Sequence, residues 1–373
     1  MPIYMDRHDL NGVTAKDVAL AHQADINIQD QFGCRGITYW FDEERGAAFC
    51  LVEAPEMNAV KEMHDHAHGL VPHQIIEVES NVVEAFLGRI QDPKPTDNMD
   101  DEGLLILNDP AFRAIMAIVL EDSELIDYRV EHPLAKNIHK NYNDLLEKIL
   151  DQFEGRKVEH VKDGFLVSFA SISNAACCAL EIQSQLKALN KKSGINLQTQ
   201  IGLSAGVPVT GDDAFFGNTI QQAKRLCEIS QGGGILISSS LKEYLREDNL
   251  KQLNEQSSFK IFKSEEEDFL KEFIHVADRL WNDPGFTVDL FNTKMGLSKS
   301  MMYRKTISLT GLSPNDFIKE YRLKKSLKLL VETHKNISEI AYDSGFSSPS
   351  YFSKCFQKRY GIVASNFLGT RKK

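Results

Sequence analysis

The chain has 373 residues, of which 42% are hydrophobic and 26% charged, with a formal net charge of −10. That length exceeds one ordinary core and predicts two or three globular domains. No run reaches the roughly 18 apolar residues of a membrane helix, and the first residues form no apolar signal core, so we expect a cytoplasmic protein without a membrane partner. Six cysteines without a CxxC pair or regular spacing predict reduced thiols, not a disulfide framework.

Charge is distributed unevenly along the chain. Residues 268–373 hold 18 Lys and Arg against 10 Asp and Glu, whereas residues 1–267 hold 25 against 43. A basic C-terminal end on an acidic body is the distribution expected when one end binds nucleic acid. Solvated basic helices are common, so this signal alone is modest.

The N-terminal region, residues 1–91, predicts a ferredoxin-like domain. Strand, helix, hairpin, helix and strand follow in βαββαβ order. The predicted elements are 2–8, 15–31, 36–42 with 47–53, 56–68 and 74–78.

Six of the eleven histidines lie before residue 74. His64 and His68 are four residues apart in a predicted helix and therefore share a face, which suits nickel, copper or zinc. A third ligand would come from another element, with His22 or His8 available. The alternative is that these histidines are solvated at helix ends, where an imidazolium favours the helix dipole.

Three stretches of this region carry a resemblance to a known family. They are YMDRHDLNGVTAKDVALAHQADINIQDQFG, TYWFDEERGAAFCLVEAP and HAHGLVPHQIIEVE. The region resembles a small family of ferredoxin-like proteins with nickel-binding members. The resemblance implies nickel or another transition metal as cofactor, with His22, His64 and His68 as ligands.

Residues 92–104 are rich in Pro, Asp and Asn, which predicts a linker. Residues 105–260 then predict an α/β domain: a strand at 114–120, a helix at 142–153, a hairpin at 155–169, a helix at 175–189 and a strand at 198–206.

The middle domain resembles class III adenylate and guanylate cyclase domains. The segments KDGFLVSF, IGLSAGVPV and FFGNTIQQAKRLCEIS carry the resemblance. It implies that Asp122 and Asp163 hold Mg or Mn beside a nucleotide, that Lys157 reads the base, and that Arg225 stabilises transition-state charge. Cyclase sites lie between two protomers, so the resemblance also implies a homodimer.

Four positions depart from the cyclase pattern. Glu124 replaces a glycine-bearing turn, Lys162 replaces a glycine, Ala214 takes a base-reading place, and Gln221 replaces an asparagine. Two carboxylates without their supporting residues are weak evidence for turnover. An active cyclase, a nucleotide-binding sensor and a structural dimerisation domain all stay open, and the last is favoured.

Residues 266–373 predict two helix-turn-helix units. Gly296 and Gly345 supply the turns, and Ser347, Ser348 and Pro349 start the second helix of the second unit with a hydroxyl cap and an early proline. Residues 313–330 predict a connecting helix of about 20 residues, or roughly 30 Å. Consecutive major-groove faces of DNA are about 34 Å apart, so this spacer fits two reading helices.

This all-α domain resembles the AraC/XylS family of bacterial transcription regulators. GLSKSMMYRKTISLTGLSPNDFIKEYRL and ISEIAYDSGFSSPSYFSKCFQKRYG carry the resemblance. It implies binding to double-stranded DNA through base-facing residues on two helices: Ser300, Tyr303, Arg304, Pro349, Ser350 and Lys354. The alternative is a helical interaction module whose basic face meets only solvent.

Together these patterns predict a multidomain α+β transcription regulator, not an enzyme. A metal ion or a small-molecule effector would bind the N-terminal domains and change the placement of two DNA-binding domains. Two alternatives remain: an active nucleotide cyclase fused to a DNA-binding module, and a metal-binding carrier.

Overall fold

The computed structural model describes residues 1–94, 99–101, 103–129, 132–161, 164–193, 196–211, 214–230, 232–245 and 259–370. It has two β-sheets followed by a helical C-terminal region. Within these ranges, no helix combines the length and the apolar content that a membrane span requires.

The N-terminal domain is an antiparallel four-stranded sheet of order β2-β3-β1-β4. Its elements are β1 (Ile3–Asp9), α1 (Ala15–Ile28), β2 (Arg35–Asp42), β3 (Ala47–Glu53), α2 (Met57–Ala67) and β4 (Gln74–Val78). A capping box of Thr14 and Asp17 starts α1. The ferredoxin-like βαββαβ order expected from the sequence is confirmed.

The middle domain is a six-stranded mixed sheet of order β10-β9-β8-β5-β7-β6. Helices α5 and α6 pack on one face and α7 on the other. The elements are α3 (Ser80–Leu87), β5 (Arg113–Leu120), α4 (Ile126–Arg129), α5 (His132–Gln152), β6 (Arg156–Val161), β7 (Gly164–Phe169), α6 (Ile172–Ser193), β8 (Thr199–Gly206), α7 (Gly217–Ile229), β9 (Ile235–Ile237), α8 (Ser239–Lys242) and β10 (Phe259–Ile261), with α3 leading in from the N-terminal domain.

The two sheets share one apolar cluster. Met5 and Phe49 on the outer face of the N-terminal sheet belong to the same buried cluster as Ile115 and Leu166 of the middle sheet. Phe86 of α3 lies in this cluster and stacks on Phe216, with ring centroids 5.1 Å apart. The face of the N-terminal sheet opposite α1 and α2 is therefore covered by the middle domain.

The segment before β5 packs in a different domain from the one to which the sequence assigned it. Tyr39 Oη accepts a hydrogen bond from the Leu107 amide and donates one to the Leu105 carbonyl, both at 3.0 Å. Leu107 is buried in the N-terminal core. Residues 105–107, assigned to the middle domain from sequence, thus belong structurally with the N-terminal domain, because their apolar side chains find their partners there.

The C-terminal domain contains seven helices among the described residues. They are α9 (Ser264–Leu280), α10 (Val288–Lys294), α11 (Lys299–Thr310), α12 (Pro314–Glu332), α13 (Ile337–Asp343), α14 (Pro349–Tyr360) and α15 (Ala364–Thr370). Ser348 caps α14 as predicted, and Ser298 caps α11 in the same way. Gly296 and Gly345 adopt φ values of 63° and 74°, the left-handed conformation that the two turns require.

Both helix-turn-helix units pack against the middle domain. Leu226 and Ile229 of α7 share a core cluster with Phe273 of α9 and Phe291 of α10, in the first unit. The second unit meets the turn after β5, where Leu125 joins a separate cluster. The C-terminal domain is therefore docked at two places.

Candidate metal centre, carboxylate cleft and nucleic-acid interface

Imidazoles and carboxylates cluster between the N-terminal sheet and its helices. Asp6 and His8 share a face of β1, because alternate strand residues point the same way. His64 and His68 lie one turn apart on and just after α2, and Asp25 comes from α1. Their ligand atoms form two overlapping groups within 4.8 Å, Asp6–His8–His64 and Asp25–His64–His68.

His64 is the residue common to both groups. Its side chain is 1% exposed, with Nε2 2.9 Å from Asp6 Oδ2 and Nδ1 3.1 Å from Asp25 Oδ2. His8 Nε2 lies 3.2 Å from Asp6 Oδ1, and His68 Nε2 lies 3.2 Å from Asp25 Oδ1. Each carboxylate therefore faces two imidazoles.

The charges in this cluster reinforce one another. Burial lowers the pKa of His64, but the Asp6 and Asp25 carboxylates outweigh burial and raise the pKa to about 10. Burial raises the pKa of Asp6, yet the imidazoles of His64 and His8 hold that pKa well below its ordinary value. Without a metal, a proton on His64 neutralises part of the buried negative charge.

This donor set fits a transition-metal ion. Imidazole nitrogens suit nickel, copper and zinc, and carboxylate oxygens complete such sites. The five side chains come from three elements and a helix end that the core already holds in place, so little ordering is needed on binding. A metal would take the place of the proton on His64, because metals bind the neutral imidazole.

The sequence-based ligand set is only partly brought together. His64 and His68 lie in the cluster, whereas His22 belongs to neither group. His22 is buried against the Tyr39 ring with centroids 4.9 Å apart, and its Nε2 has no hydrogen-bond partner among the described residues. Burial lowers the pKa of His22. It lies beside the cluster as a neutral ring.

Sequence reasoning missed the two carboxylates. Asp6 precedes His8 by two residues in a strand, and Asp25 follows His22 by three in a helix, so each shared a face with a histidine. Searching for acidic residues on the buried faces of β1 and α1 would have found them. Asp6 is fully buried and Asp25 nearly so.

A second polar site lies where β5 ends. Asp122, the described member of the predicted metal-binding pair, follows Glu121 and adopts a left-handed φ of 52°. Arg359 of α14 reaches both carboxylates: Nη1 is 3.1 Å from Asp122 Oδ2, and Nη2 is 3.2 Å from Glu121 Oε1. Arg359 Nε also lies 2.6 Å from Glu320 Oε1 of α12. A guanidinium from the C-terminal domain thus binds these carboxylates.

A cavity of about 590 Å³ opens beside these carboxylates, between the middle sheet and α12. Asp122 lines it, but Lys157 and Arg225 do not. Lys157 projects toward α5 instead, with Nζ 3.3 Å from Glu147 Oε1, and Arg225 is partly buried on α7. Asp163 lies outside the described residues. Within one chain, the described members of the predicted nucleotide-binding set, Asp122, Lys157 and Arg225, therefore do not line a common cavity.

The turn after Asp122 packs against the second helix-turn-helix unit. In place of a glycine-bearing loop, residues Ser123–Leu125 form a short 3-10 helix. Leu125 is completely buried among side chains of the second helix-turn-helix unit, and Tyr128 contacts Phe367 with ring centroids 5.8 Å apart. The departure at Glu124 therefore lies in a segment that contacts the DNA-binding domain.

The predicted DNA-reading residues lie on the exposed faces of two capped helices. On α11, Met302 and Thr306 are buried while Ser300, Tyr303 and Arg304 are exposed. On α14, Phe352 and Phe356 are buried. Ser350 and Lys354 are exposed, and Pro349 is partly buried at the first helical position. Neither reading face is covered by the middle domain.

Models of three protein families match the chain. Residues 292–370 match a helix-turn-helix domain, residues 121–269 the adenylate and guanylate cyclase catalytic domain, and residues 4–78 the nickel responsive protein SCO4226-like family. The helix-turn-helix match at residues 292–370 agrees with the resemblance to AraC-type domains expected from the sequence. The three domain types expected from the sequence, and the multidomain α+β fold class, are confirmed.

Individual relatives match parts of the chain. Histidine kinase P4 of Formosa agariphila is 39% identical over 111 residues, 30% of this chain and 8% of that protein. HTH-type transcriptional activator RhaS of Mannheimia succiniciproducens is 41% identical over 70 residues, 19% of this chain and 26% of that protein. The chain thus spans only a minor part of these relatives. A crystal structure of SCO4226 from Streptomyces coelicolor A3(2) is 32% identical, with a TM-score of 0.20, and the match covers 20% of this chain and 94% of that one.

Proposed function

We propose that the protein is a sequence-specific DNA-binding transcription regulator whose N-terminal domains receive a metal or small-molecule signal. The observation that carries this function is the pair of exposed reading faces on α11 and α14, joined by α12 in an AraC-type domain. At 1.5 Å per residue, α12 is about 28 Å long, close to the repeat of the major groove.

The test of DNA binding uses duplexes selected by the full chain from a random library. Arg304→Ala and Lys354→Ala are expected to weaken binding to the selected duplex by about 1–3 kcal/mol each, because a guanidinium or ammonium that reads base edges is lost. Lys271→Ala, an exposed lysine on α9, is the matched control and should leave the affinity unchanged.

Failure of this test has a definite meaning. If no sequence is enriched, or if the reading-face variants bind like the control, the C-terminal domain is the helical interaction module left open by the sequence. Salt titration separates the two contributions to affinity, because phosphate contacts weaken steeply with salt whereas base discrimination does not.

The signal proposed for the N-terminal domain is a transition metal, with nickel as the first candidate. Support comes from three imidazoles and two carboxylates in two groups within 4.8 Å, and from the match of residues 4–78 to a nickel-responsive family. The ligands proposed are Asp6, His8 and His64 in one group, or Asp25, His64 and His68 in the other, because the two ring nitrogens of His64 face different carboxylates. The ligand set expected from sequence includes His22, which lies beside the cluster. Replacing His22 therefore distinguishes that set from the one proposed from the geometry.

The middle domain is proposed to act without cyclase turnover. Arg359 engages Asp122, and neither Lys157 nor Arg225 lines the cavity beside it. Incubation of the full chain with ATP or GTP and Mn²⁺ is expected to give no cyclic nucleotide. Formation of cyclic product above a heat-denatured control would instead favour the alternative, a cyclase fused to a DNA-binding module.

A homodimer is part of the proposal, since a site shared between protomers would take Lys157 and Arg225 from the second chain. Sedimentation velocity across a range of concentrations tests it. A dimer supports the shared arrangement, and a monomer at all concentrations, with and without DNA, contradicts it.

A further inference from the structure

Arg359 is part of α14 but does not belong to its DNA-reading face. Its side chain points back into the molecule, where three carboxylates from the end of β5 and from α12 surround one guanidinium. Two of them, Glu121 and Asp122, belong to the middle domain, and Glu320 belongs to the DNA-binding domain. Arg359 therefore connects the second helix-turn-helix unit to the middle domain through charge.

The rest of this contact is small. Among the described residues, the apolar part of the contact between the second unit and the turn after β5 consists of Leu125, which is buried, and Tyr128, which is partly buried. The first unit is attached more extensively, because Leu226, Ile229 and Leu236 of the middle domain lie within its aromatic core. If either unit separates from the middle domain, the contact at Arg359 is the one that opens at lower cost.

Of the two middle-domain carboxylates, Glu121 has an oxygen with unused capacity for a cation. The Glu121 side chain is only 10% exposed, and its Oε2 is buried without a hydrogen-bond partner among the described residues. Both carboxylates line the cavity of about 590 Å³, so an ion can reach them without unfolding the domain. Carboxylate oxygens are the ligands that Mg²⁺ and Mn²⁺ prefer.

We propose that Arg359 is an interdomain latch that occupies the cation position of Glu121 and Asp122, so that a divalent cation bound there releases the second helix-turn-helix unit. The guanidinium nitrogens lie 3.1 and 3.2 Å from these carboxylates, within the space that a coordinated cation would fill. Released, α14 can change its orientation relative to α11 on DNA. The consequence for DNA rests on the proposed regulator function, but the latch itself does not.

The experiment measures hydrogen exchange of residues 349–360 in the full chain by mass spectrometry, with Mn²⁺ as the probe. In the unmodified protein Mn²⁺ should accelerate exchange of α14 roughly tenfold, while K⁺ at matched ionic strength should not. Arg359→Gln should show the fast exchange without Mn²⁺ and no further response. Lys358→Gln, the adjacent exposed cation on the same helix, is the matched control and should behave like the unmodified protein.

A second variant separates release from local unfolding. Glu121→Gln combined with Asp122→Asn removes the acceptors on the middle domain and leaves the Arg359–Glu320 pair intact, so α14 should again exchange fast and ignore Mn²⁺. Exchange in β5 should stay slow throughout. The latch is overturned if both variants leave exchange of α14 unchanged, or if Mn²⁺ fails to accelerate it in the unmodified protein.

Affinity for a selected duplex, measured with and without Mn²⁺, then tests the regulator function independently. If α14 responds to Mn²⁺ but the protein binds no duplex, the latch stands and the proposed function fails. If the duplex is bound and α14 does not respond, the function stands and the latch fails.

Discussion

Both ring nitrogens of His64 face a carboxylate, at 2.9 and 3.1 Å. The two carboxylates hold the ring in position and raise its pKa, which favours the protonated imidazole. The rings of His8 and His68 flank the same two carboxylates, each with Nε2 3.2 Å from a carboxylate oxygen. Replacing the proton on His64 by a divalent cation increases the positive charge at the centre of the cluster. The same side chains thus stabilise the buried cluster without metal and are the ligands of the proposed metal site.

His64→Gln is expected to lower the affinity for Ni²⁺ by about 100-fold or more, because even outer residues of metal sites contribute tenfold to a hundredfold. Isothermal titration of the full chain measures the affinity. His66→Gln is the matched control, since His66 lies on the same helix, is exposed, and has Nδ1 2.8 Å from the Glu62 carbonyl oxygen, away from the cluster. Thermal unfolding of both variants without metal checks that the fold persists.

His22→Gln distinguishes the two ligand sets. The cluster geometry predicts a small effect on Ni²⁺ affinity, because His22 lies in neither group of ligand atoms. A loss as large as that of His64→Gln would favour the set expected from sequence, in which His22 is a ligand.

The sequence identified His64 and His68 because helical spacing alone puts residues four apart on one face. It could not select Asp6 or Asp25, because a lone acidic residue in a strand or helix is usually solvated. Only the packing of α1 and α2 on β1 buries these carboxylates and turns them toward the histidines. The same limit applies to Arg359, which reads as one more basic residue of a DNA-binding helix.

At the scale of elements, α7 approaches β8 too closely for a side chain between them. A Cβ on Gly202 would lie 2.1 Å from the Ala223 carbonyl oxygen and 2.4 Å from the Cys227 amide nitrogen. Both obstacles are backbone, so one element must move. This close approach holds α7, and with it the first helix-turn-helix unit, against the middle sheet.

Gly202→Ala is therefore expected to destabilise the middle domain by about 1–3 kcal/mol, the usual cost of overpacking. Gly211→Ala is the control, because a Cβ there would meet only the Gln74 amide at 3.8 Å. Urea unfolding, with hydrogen exchange of the β8 amides as its readout, measures the difference in the free energy of unfolding between the two variants. Equal stabilities for the two variants would show that α7 is free to shift away.

Elements with local signals were predicted well. Serine caps, early prolines and positive-φ glycines mark α11, α12 and α14, and the structure has all three helices, with α12 near its predicted bounds. Helix α5 begins ten residues before its predicted start at Tyr142. Residues 132–141 are mostly polar and include Pro133, so the apolar periodicity of a helix becomes recognisable only from Tyr142 onward.

At the scale of the molecule, the three domains form a continuous series of packed contacts. The N-terminal sheet shares a core with the middle sheet, and the middle domain shares cores with both helix-turn-helix units. The sequence indicated separate domains joined by linkers, because an apolar sheet face looks the same whether it packs within a domain or between domains. Changes in the N-terminal domain therefore have a physical route to the C-terminal one.

Binding of Ni²⁺ is accordingly expected to change the affinity for a selected duplex by about 5–150-fold, the usual range of coupling between sites. Linkage requires the duplex to change the Ni²⁺ affinity by the same factor, so titrations in both orders must agree. His64→Gln should bind the duplex but lose the response, whereas His66→Gln should keep it. A protein that binds Ni²⁺ tightly while its DNA affinity stays constant would be a metal carrier, because a ligand without differential affinity for two states cannot shift them.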